Sequence, residues 1–573
     1  MPRPHLCSAA RRNGCRDLSL FGNARVPLLH RLLPRNARVV SRTHHQFTKN
    51  PQGAPMNVEQ HDGMNNTTLM SRRLLLLAGG SAVLAACGSS TAKSAGTTTS
   101  VATGAESTAP PAVDSTIAST GYNPLWIPPL LEGTTFDLEL ATSTATLLDG
   151  KSAATISYNG APMWGPTLVM RKGDTVSVNV KNSLTEETTT HWHGVHLPAE
   201  MDGGPHQVIA AGATWSPTWT VKNNAAMYWY HPHAHELTWP QLSMGAGGFL
   251  LVRDDEEEAL TLPRTYGVDD IPLVLTSRSF DAGSQIIADT IYGDHLLANG
   301  TLDAEVEVPA QLVRLRILNA EIERAYTLGF ADNRSYWVIG TDGGLLDAPV
   351  SVTRLVMAPG ERYEIVIDLG ADAVGSIVTM QSFNGGYSLG YPGGEPNESG
   401  AFGSQLNNKT FDVLRLVVGN ATADGVKVLP NSLVKNSLWT AAEATKQRSI
   451  AITDTGPGSP FTFDGLGYSM DHIAQTVVLD TVEAWSIQNG QIFGHSFHIH
   501  DVQFSIVERS SGPVPDYEKG WKDTFYIQLG EKVTFVAKFD DYASSEHPYM
   551  YHCHMSNHED EGLMGQFLVV DKA

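Results

Sequence analysis

The sequence predicts an all-β protein of three consecutive, related Greek-key sandwiches, and three observations lead there. Apolar and polar residues alternate with period two in short runs. One such run ends at an Asn in each third of the chain: Val176, Val178 and Val180 before Asn182, Leu315 and Ile317 before Asn319, Trp485 and Ile487 before Asn489. A second run follows a Gly in each third: Gly212 before Trp215, Pro217 and Trp219, Gly360 before Tyr363, Ile365 and Ile367, Gly530 before Val533, Phe535 and Ala537. These glycines stand 148 and 170 residues apart, domain-sized steps in a chain of 573. Repeated short strands of this kind suit antiparallel sandwiches. The expected units are 121–256, 257–430 and 431–573.

Ahead of them the chain changes character twice. Residues 1–55 are Arg-rich without an apolar period, and are expected to be a non-native extension or a leader, with Met56, Met64 or Met70 as the true start. Ser71-Arg72-Arg73 then precede an apolar run from Leu74 to Ala86, the form of an export signal, and resemble a twin-arginine signal. The run is too short to span a bilayer as a helix. It closes in Leu84-Ala85-Ala86-Cys87, which resembles a lipoprotein box and implies a membrane tether through Cys87; ordinary cleavage after small residues is the alternative. On either reading 56–87 is an export signal, and the protein is expected in the cell envelope or secreted. Ser, Thr and Ala dominate 88–120, too little apolar content to fold, so a flexible linker is expected there.

The formal net charge is −21, but residues 1–73 hold 12 Lys and Arg against 3 Asp and Glu, which leaves −30 on the remainder. Nucleic-acid binders carry a basic patch, so no nucleic-acid partner is expected for so acidic a body. Of Cys7, Cys15, Cys87 and Cys553, only the last lies within the three units. It has no partner for a disulfide, which leaves a metal thiolate or a free thiol.

Histidines fall at equivalent ends of the first and third units. In the first, His191-Trp192-His193 follows one marker strand and His231-Pro232-His233 the other. In the third, His495-Ser496-Phe497-His498-Ile499-His500 and His552-Cys553-His554 take those places. The middle unit holds only His295, and is expected to be a spacer beside a site shared by its neighbours. Four His-x-His pairs supply eight imidazoles, more than one mononuclear site takes, and so imply several metals. His495, Cys553 and His558 remain as a His₂Cys set, the trigonal pattern of a blue-copper electron-transfer site. On an extended chain Cys553 faces away from His552 and His554, and His495 away from His498. One short strand then serves two centres.

With these four motifs in this order and spacing, 121–573 resembles the multicopper oxidases, particularly bacterial laccase-like and bilirubin-oxidase-like members with three cupredoxin domains. The resemblance implies three cupredoxin-like Greek-key β-sandwiches and four copper ions. It implies a type 1 copper on His495, Cys553 and His558, and a type 2 copper on His191 and His498. For the type 3 pair it implies His193, His231 and His554 on one ion and His233, His500 and His552 on the other. The implied reaction is four one-electron oxidations of phenols, aromatic amines or similar small donors, coupled to reduction of O₂ to water. Electrons would enter through an exposed edge of His558 and pass along Cys553. Asp202, nine residues after His193, and Glu559, beside His558, stand where the family keeps its proton-relay acids. The axial type 1 position, ten residues after the Cys, is often Met in the family and is Leu563 here. That implies a three-coordinate copper with a raised potential, since Met564 would point to the other face. A metal-ion oxidase acting on Mn(II), Fe(II) or Cu(I), and a non-catalytic cupredoxin-fold envelope protein, are the alternatives. Three units in one chain imply a monomer.

Other residues take blander readings. His196, His206, His235 and His547 are expected behind the ligands or at the surface, and Met227, Met244 and Met555 as packing residues. No Lys-Ser/Thr follows the Gly-rich run 385–394, so it is no phosphate loop and is expected to be a surface loop.

Overall fold

The computed structural model describes residues 121–387, 390–396, 402–454 and 461–572. The extension, the export signal with Cys87 and the linker lie outside the described residues. Within them, six sheets pair into three β-sandwiches, with three short helices at Thr238–Ser243, Asp255–Glu258 and Ser556–Asp560. In the first sandwich, Thr135–Thr146 buries Phe136, Leu138 and Leu140 on alternate positions. These meet Val176, Val178 and Val180 of the same sheet and Leu168, Tyr228, Tyr230 and Leu250 of the facing one. The second core joins Leu315, Ile317, Ile365 and Ile367 to Leu328, Met380 and Leu416; the third joins Trp485, Ile487, Val533 and Phe535 to Phe497, Tyr551 and Phe567. Strand Asn123–Pro124, at the head of the first expected unit, pairs with Ala304–Glu305 and so belongs to the second sandwich's sheet.

The recurrent Asn and Gly meet in space. The marker strands are Thr175–Asn182, Leu312–Asn319 and Thr481–Asn489. Each terminal Asn is fully buried and makes the same latch. The side-chain amide of Asn182 donates to the carbonyls of Glu186 and Ile209, that of Asn319 to Arg324 and Met357, and that of Asn489 to Phe493 and Gln528. Each Oδ1 accepts from the N–H two residues on, a local turn that ends the strand. The N–H groups of Gly212 and Gly360 bond the Asn182 and Asn319 carbonyls at 2.8 Å, closing the latch on the second marker run. In the first sandwich that run is split into Thr214–Trp215 and Thr218–Thr220, because Pro217 has no N–H to give the ladder.

The latched loops deliver the histidine strands. His191–His193 pairs with Ala226–His231, and His495–Ile499 pairs with Tyr549–Cys553. Both motifs of a sandwich therefore lie on neighbouring strands. The corresponding strand of the middle sandwich, Tyr326–Phe330, carries no His.

Candidate metal centre

Strand geometry sorts the side chains. His191 and His193 flank Trp192, whose ring is buried in the first core, so the two imidazoles leave the opposite face. In the third sandwich His498 lies opposite His552, while Cys553 lies opposite Phe497 and shares its core. Two donor groups result, one on each face of Tyr549–Cys553.

On the core face, Cys553 Sγ lies 3.5 Å from His495 Nδ1 and 3.6 Å from His558 Nδ1. All three residues are buried, with Phe461 and Phe493 against the rings. Burial pushes the Cys553 thiol up to about 12 and His495 down to about 3. A thiolate here therefore needs a cation to form. Leu563 is fully buried in the same core, and its backbone alone bonds Cys553, the carbonyl accepting from the Cys553 N–H at 3.0 Å. Met564 heads the next strand opposite His552.

On the other face eight imidazoles converge. Their donor atoms group as His193, His231 and His554, as His233, His500 and His552, and as His191 and His498 beside His193. Seven of the eight rings have one nitrogen set by a group outside the cluster, while Nδ1 of His554 is buried without a partner. Nδ1–H of His191 donates to the Asp202 carbonyl, that of His231 to Pro232 and that of His498 to Asp523, each at 2.9 Å. The Nε2 atoms of these three rings are buried without a partner. His500 Nδ1–H donates to Asp202 Oδ2 at 2.7 Å and His552 Nδ1–H to the Cys553 carbonyl at 3.1 Å, while His233 Nδ1 lies 3.1 Å from Glu559 Oε1. The Nε2 of His552 then sits 3.2 Å from that of His233 and 3.3 Å from that of His500. With the protons held on the outer nitrogens, these contacts bring three lone pairs together, which repel one another unless a cation lies between them. Burial also drives His231, His233, His193, His498 and His554 well below the usual range, and His500 to about 3, so these six rings stay neutral ligands rather than imidazolium. The residues fit a set of bound transition-metal ions.

Both predicted acids face this cluster. Asp202 is buried, with Oδ1 3.3 Å from His191 Nδ1. Glu559 lies 3.1 Å from both His233 and His552 and accepts from the Thr238 hydroxyl at 2.7 Å. Burial alone would raise both carboxyls. The neighbouring His500 and His191 hold Asp202 well below its usual range, and His233 and His552 bring Glu559 to about 2.

Three expectations need correction or sharpening, and one residue beside the cluster escaped them. His558 is only 1% exposed, so it presents no open edge; Phe461 packs on its ring at 4.0 Å, and Glu323 Oε2 of the middle sandwich, which accepts from the Asn557 amide, stands 3.7 Å from its Nε2. The middle sandwich is thus more than a spacer. Nor is the described part of 385–394 a surface loop throughout: Tyr391 is buried and stacks on Tyr387 at 4.0 Å, and Gly393 lies against Arg324. Third, His196 is not simply peripheral, since it pairs with Asp541 at 2.5 Å across the seam between the first and third sandwiches. The residue that escaped is Asp523: it is fully buried, 3.1 Å from His193 Nε2, and no motif spacing marks it. The remaining bland readings hold for His235 and His547, which are exposed, for His206, bonded to Gln566, and for Met227 and Met555, buried in cores.

The donors define a class: a protein that joins a three-donor Cys-His group to an all-His cluster, each suited to transition-metal ions, through adjacent residues of one strand. Comparison with known proteins gives that class its family. Residues 139–257 and 440–573 match models described as multicopper oxidase. Multicopper oxidase mco of Staphylococcus haemolyticus is 30% identical, covering 73% of this chain and 84% of that one. Cell division protein FtsP of Sodalis glossinidius is 32% identical, covering 77% and 91%. The solved structure of a laccase-like multi-copper oxidase from Ochrobactrum sp. is similar at 32% identity with a TM-score of 0.69, over 78% of this chain and 100% of that one. The chain belongs to the multicopper oxidase family.

Proposed function

We propose that the chain is a copper-dependent oxidase that couples four one-electron oxidations of phenolic or aromatic-amine donors to reduction of O₂ to water. The observation that carries this is the placement of Cys553, a member of the Cys-His group, directly between His552 and His554, members of the all-His cluster. In this reading His495, Cys553 and His558 hold a type 1 copper, and His191 and His498 a type 2 copper. The type 3 pair is held by His193, His231 and His554 and by His233, His500 and His552. Bound copper supplies the one-electron redox steps and the four-electron reduction of O₂. The chain does the rest. The backbone from Cys553 to His552 and His554 gives electrons a short covalent route between the two faces of the strand. Asp202 and Glu559 hold and pass protons at carboxylates already bonded to cluster imidazoles. Leu563 offers no donor atom, so His495, Cys553 and His558 alone would hold a type 1 copper. Glu323, raised to about 7 by burial against the lowering bonds from Tyr292 and Asn557, lies 3.7 Å from Nε2 of the covered His558, placed to take a phenol's proton as its electron passes to that ring.

Carboxylates at that edge also favour a second reading, oxidation of a divalent metal ion, since Glu323 and Glu395 both bond Tyr292. Turnover of Mn(II), Fe(II) and Cu(I) against a phenol separates the two. A non-catalytic envelope role is raised by relatives named cell division proteins, and is disfavoured by the complete set of ten histidines and one cysteine. Copper quantitation with optical and EPR spectra, followed by O₂ uptake, tests the main reading. Four coppers, a blue band and donor-dependent uptake are expected; a fully loaded protein that consumes no O₂ overturns it. On the sequence of 71–87 we also propose export and a tether at Cys87, and on three units in one chain a monomeric protein, to be checked by the mass of the mature N-terminus and by sedimentation.

A further inference from the structure

We propose that Arg362, a residue of the ligand-free middle sandwich, is a positioning residue for the all-His cluster, acting through Asp523. The inference rests on the copper reading above. Arg362 is 1% exposed, and its guanidinium has five N–H donors. All five are used. Nη1 and Nη2 donate to Asp523 Oδ1 and Oδ2, both at 2.6 Å, a bidentate pair. The second donors of these nitrogens reach the carbonyls of Gly360 at 3.2 Å and Asp342 at 3.0 Å, and Nε–H reaches Met227 at 3.2 Å. Met227 belongs to the first sandwich, Gly360 and Asp342 to the second and Asp523 to the third. One side chain therefore bonds all three at a single point.

That point touches the cluster on two sides. Asp523 Oδ1 accepts from Nε2–H of His193, which leaves Nδ1 of that ring facing His554 at 3.1 Å. The Asp523 carbonyl accepts from Nδ1–H of His498, which leaves Nε2 inward. Asp523 thus chooses, through two different atoms, which nitrogen each ring offers. Asp523 is itself held from the middle sandwich, because Asp342 Oδ2 accepts its N–H at 3.1 Å and that of Thr524 at 3.2 Å. Two glycines make room for the arrangement. A Cβ on Gly194 would strike Asp523 Oδ2 and Arg362 Nη2, and one on Gly360 would lie 2.7 Å from the His554 ring; both adopt positive φ. A lysine could keep the charge but offers no fork to hold both carboxylate oxygens.

The test compares Arg362→Gln and Arg362→Lys with Arg316→Gln, which breaks a buried ion pair to Asp270 with no cluster contact. Copper content, the type 1 blue band, the type 2 EPR signal and two stopped-flow rates are measured: anaerobic reduction of type 1 copper by a phenol, and reoxidation by O₂. Both Arg362 variants are expected to keep the blue band and the reduction rate. Their type 2 signal should shift or vanish, and reoxidation should slow by roughly 10–100-fold, the usual effect of losing an outer partner of a ligand. The Lys variant, which keeps the buried charge, is the informative one if the Gln variant does not fold. Arg316→Gln should lose thermal stability without any change in the type 2 signal. An unchanged type 2 spectrum in Arg362→Lys at wild-type copper content overturns the proposal. Wild-type protein that binds no copper overturns the copper reading instead, and the inference with it.

Discussion

Replacing Glu559 by Gln tests whether this carboxylate passes protons and fixes imidazole tautomers at once. Its two oxygens face ring nitrogens of His233 and His552 at 3.1 Å, and one also accepts from Thr238. A glutamine has the same shape but one acceptor and one donor end. His552 keeps the Cys553 carbonyl as an acceptor, so the exposed ring is His233: an amide N–H turned toward its Nδ1 moves the proton to Nε2 and withdraws that lone pair from the cluster. The outer-partner loss alone is worth roughly 10–100-fold in metal affinity or activity. Loss of a positioned acid is worth ~10²–10⁴-fold in rate, about 3–5 kcal/mol of barrier at 1.36 kcal/mol per tenfold. The assay is O₂ uptake against pH at verified full copper loading, with a saturating phenol. A fall of at least about 10²-fold is expected, with type 1 reduction by the donor unchanged, since Glu559 lies on the other side of the strand. A Gln variant that holds its copper and turns over within about threefold of wild type at every pH would refute both roles.

Three further outcomes follow from the same geometry. Leu563→Met should lower the type 1 potential by adding an axial thioether, and a redox titration showing no fall would remove the three-coordinate reading. Asn319→Ala breaks a buried latch of three hydrogen bonds; it should cost about 1–3 kcal/mol, seen as a lower thermal midpoint with the blue band intact. Glu257 sits among Arg314, Arg316 and Arg264; burial would raise its carboxyl, but the arginines hold it at about 2 against an ordinary 4.5. Because its folded value is depressed, its contribution of about 3 kcal/mol is present above pH 4.5 and lost as pH falls from there through 2. Glu257→Gln should therefore flatten the acid limb of the stability profile over that window, and an unaltered limb would show the pair contributes nothing there.

The sequence made legible what is local or periodic. The Asn182, Asn319 and Asn489 latches explain why: a strand that must stop at a fixed point before a loop of defined shape requires the same residue each time, so the marker is visible without coordinates. The alternation around Cys553 likewise requires only the period of a strand, and Cys553 does face His495 and His558 while His552 and His554 face the other histidines. What escaped was set by convergence of distant segments. Asp523 is 330 residues from His193 in the chain, and Arg362 lies 161 from Asp523; no spacing rule connects them.

The same reasoning explains why the middle sandwich looked empty and is not. A search for donors finds only His295 there, so a spacer was the economical reading. Yet a cluster lying between two sandwiches has neutral ligands and three buried carboxylates, Asp202, Glu559 and Asp523, around it. Such groups are tolerable only when each is bonded and oriented. The two outer sandwiches satisfy Asp202 and Glu559 with their own histidines. Asp523 has in addition a guanidinium, and Arg362 supplies it from the one domain that carries no ligand. Glu323 does the corresponding service at His558 on the opposite side of the strand. The middle sandwich therefore acts on both centres through charge rather than coordination, which is why its contribution leaves no histidine signature in the sequence.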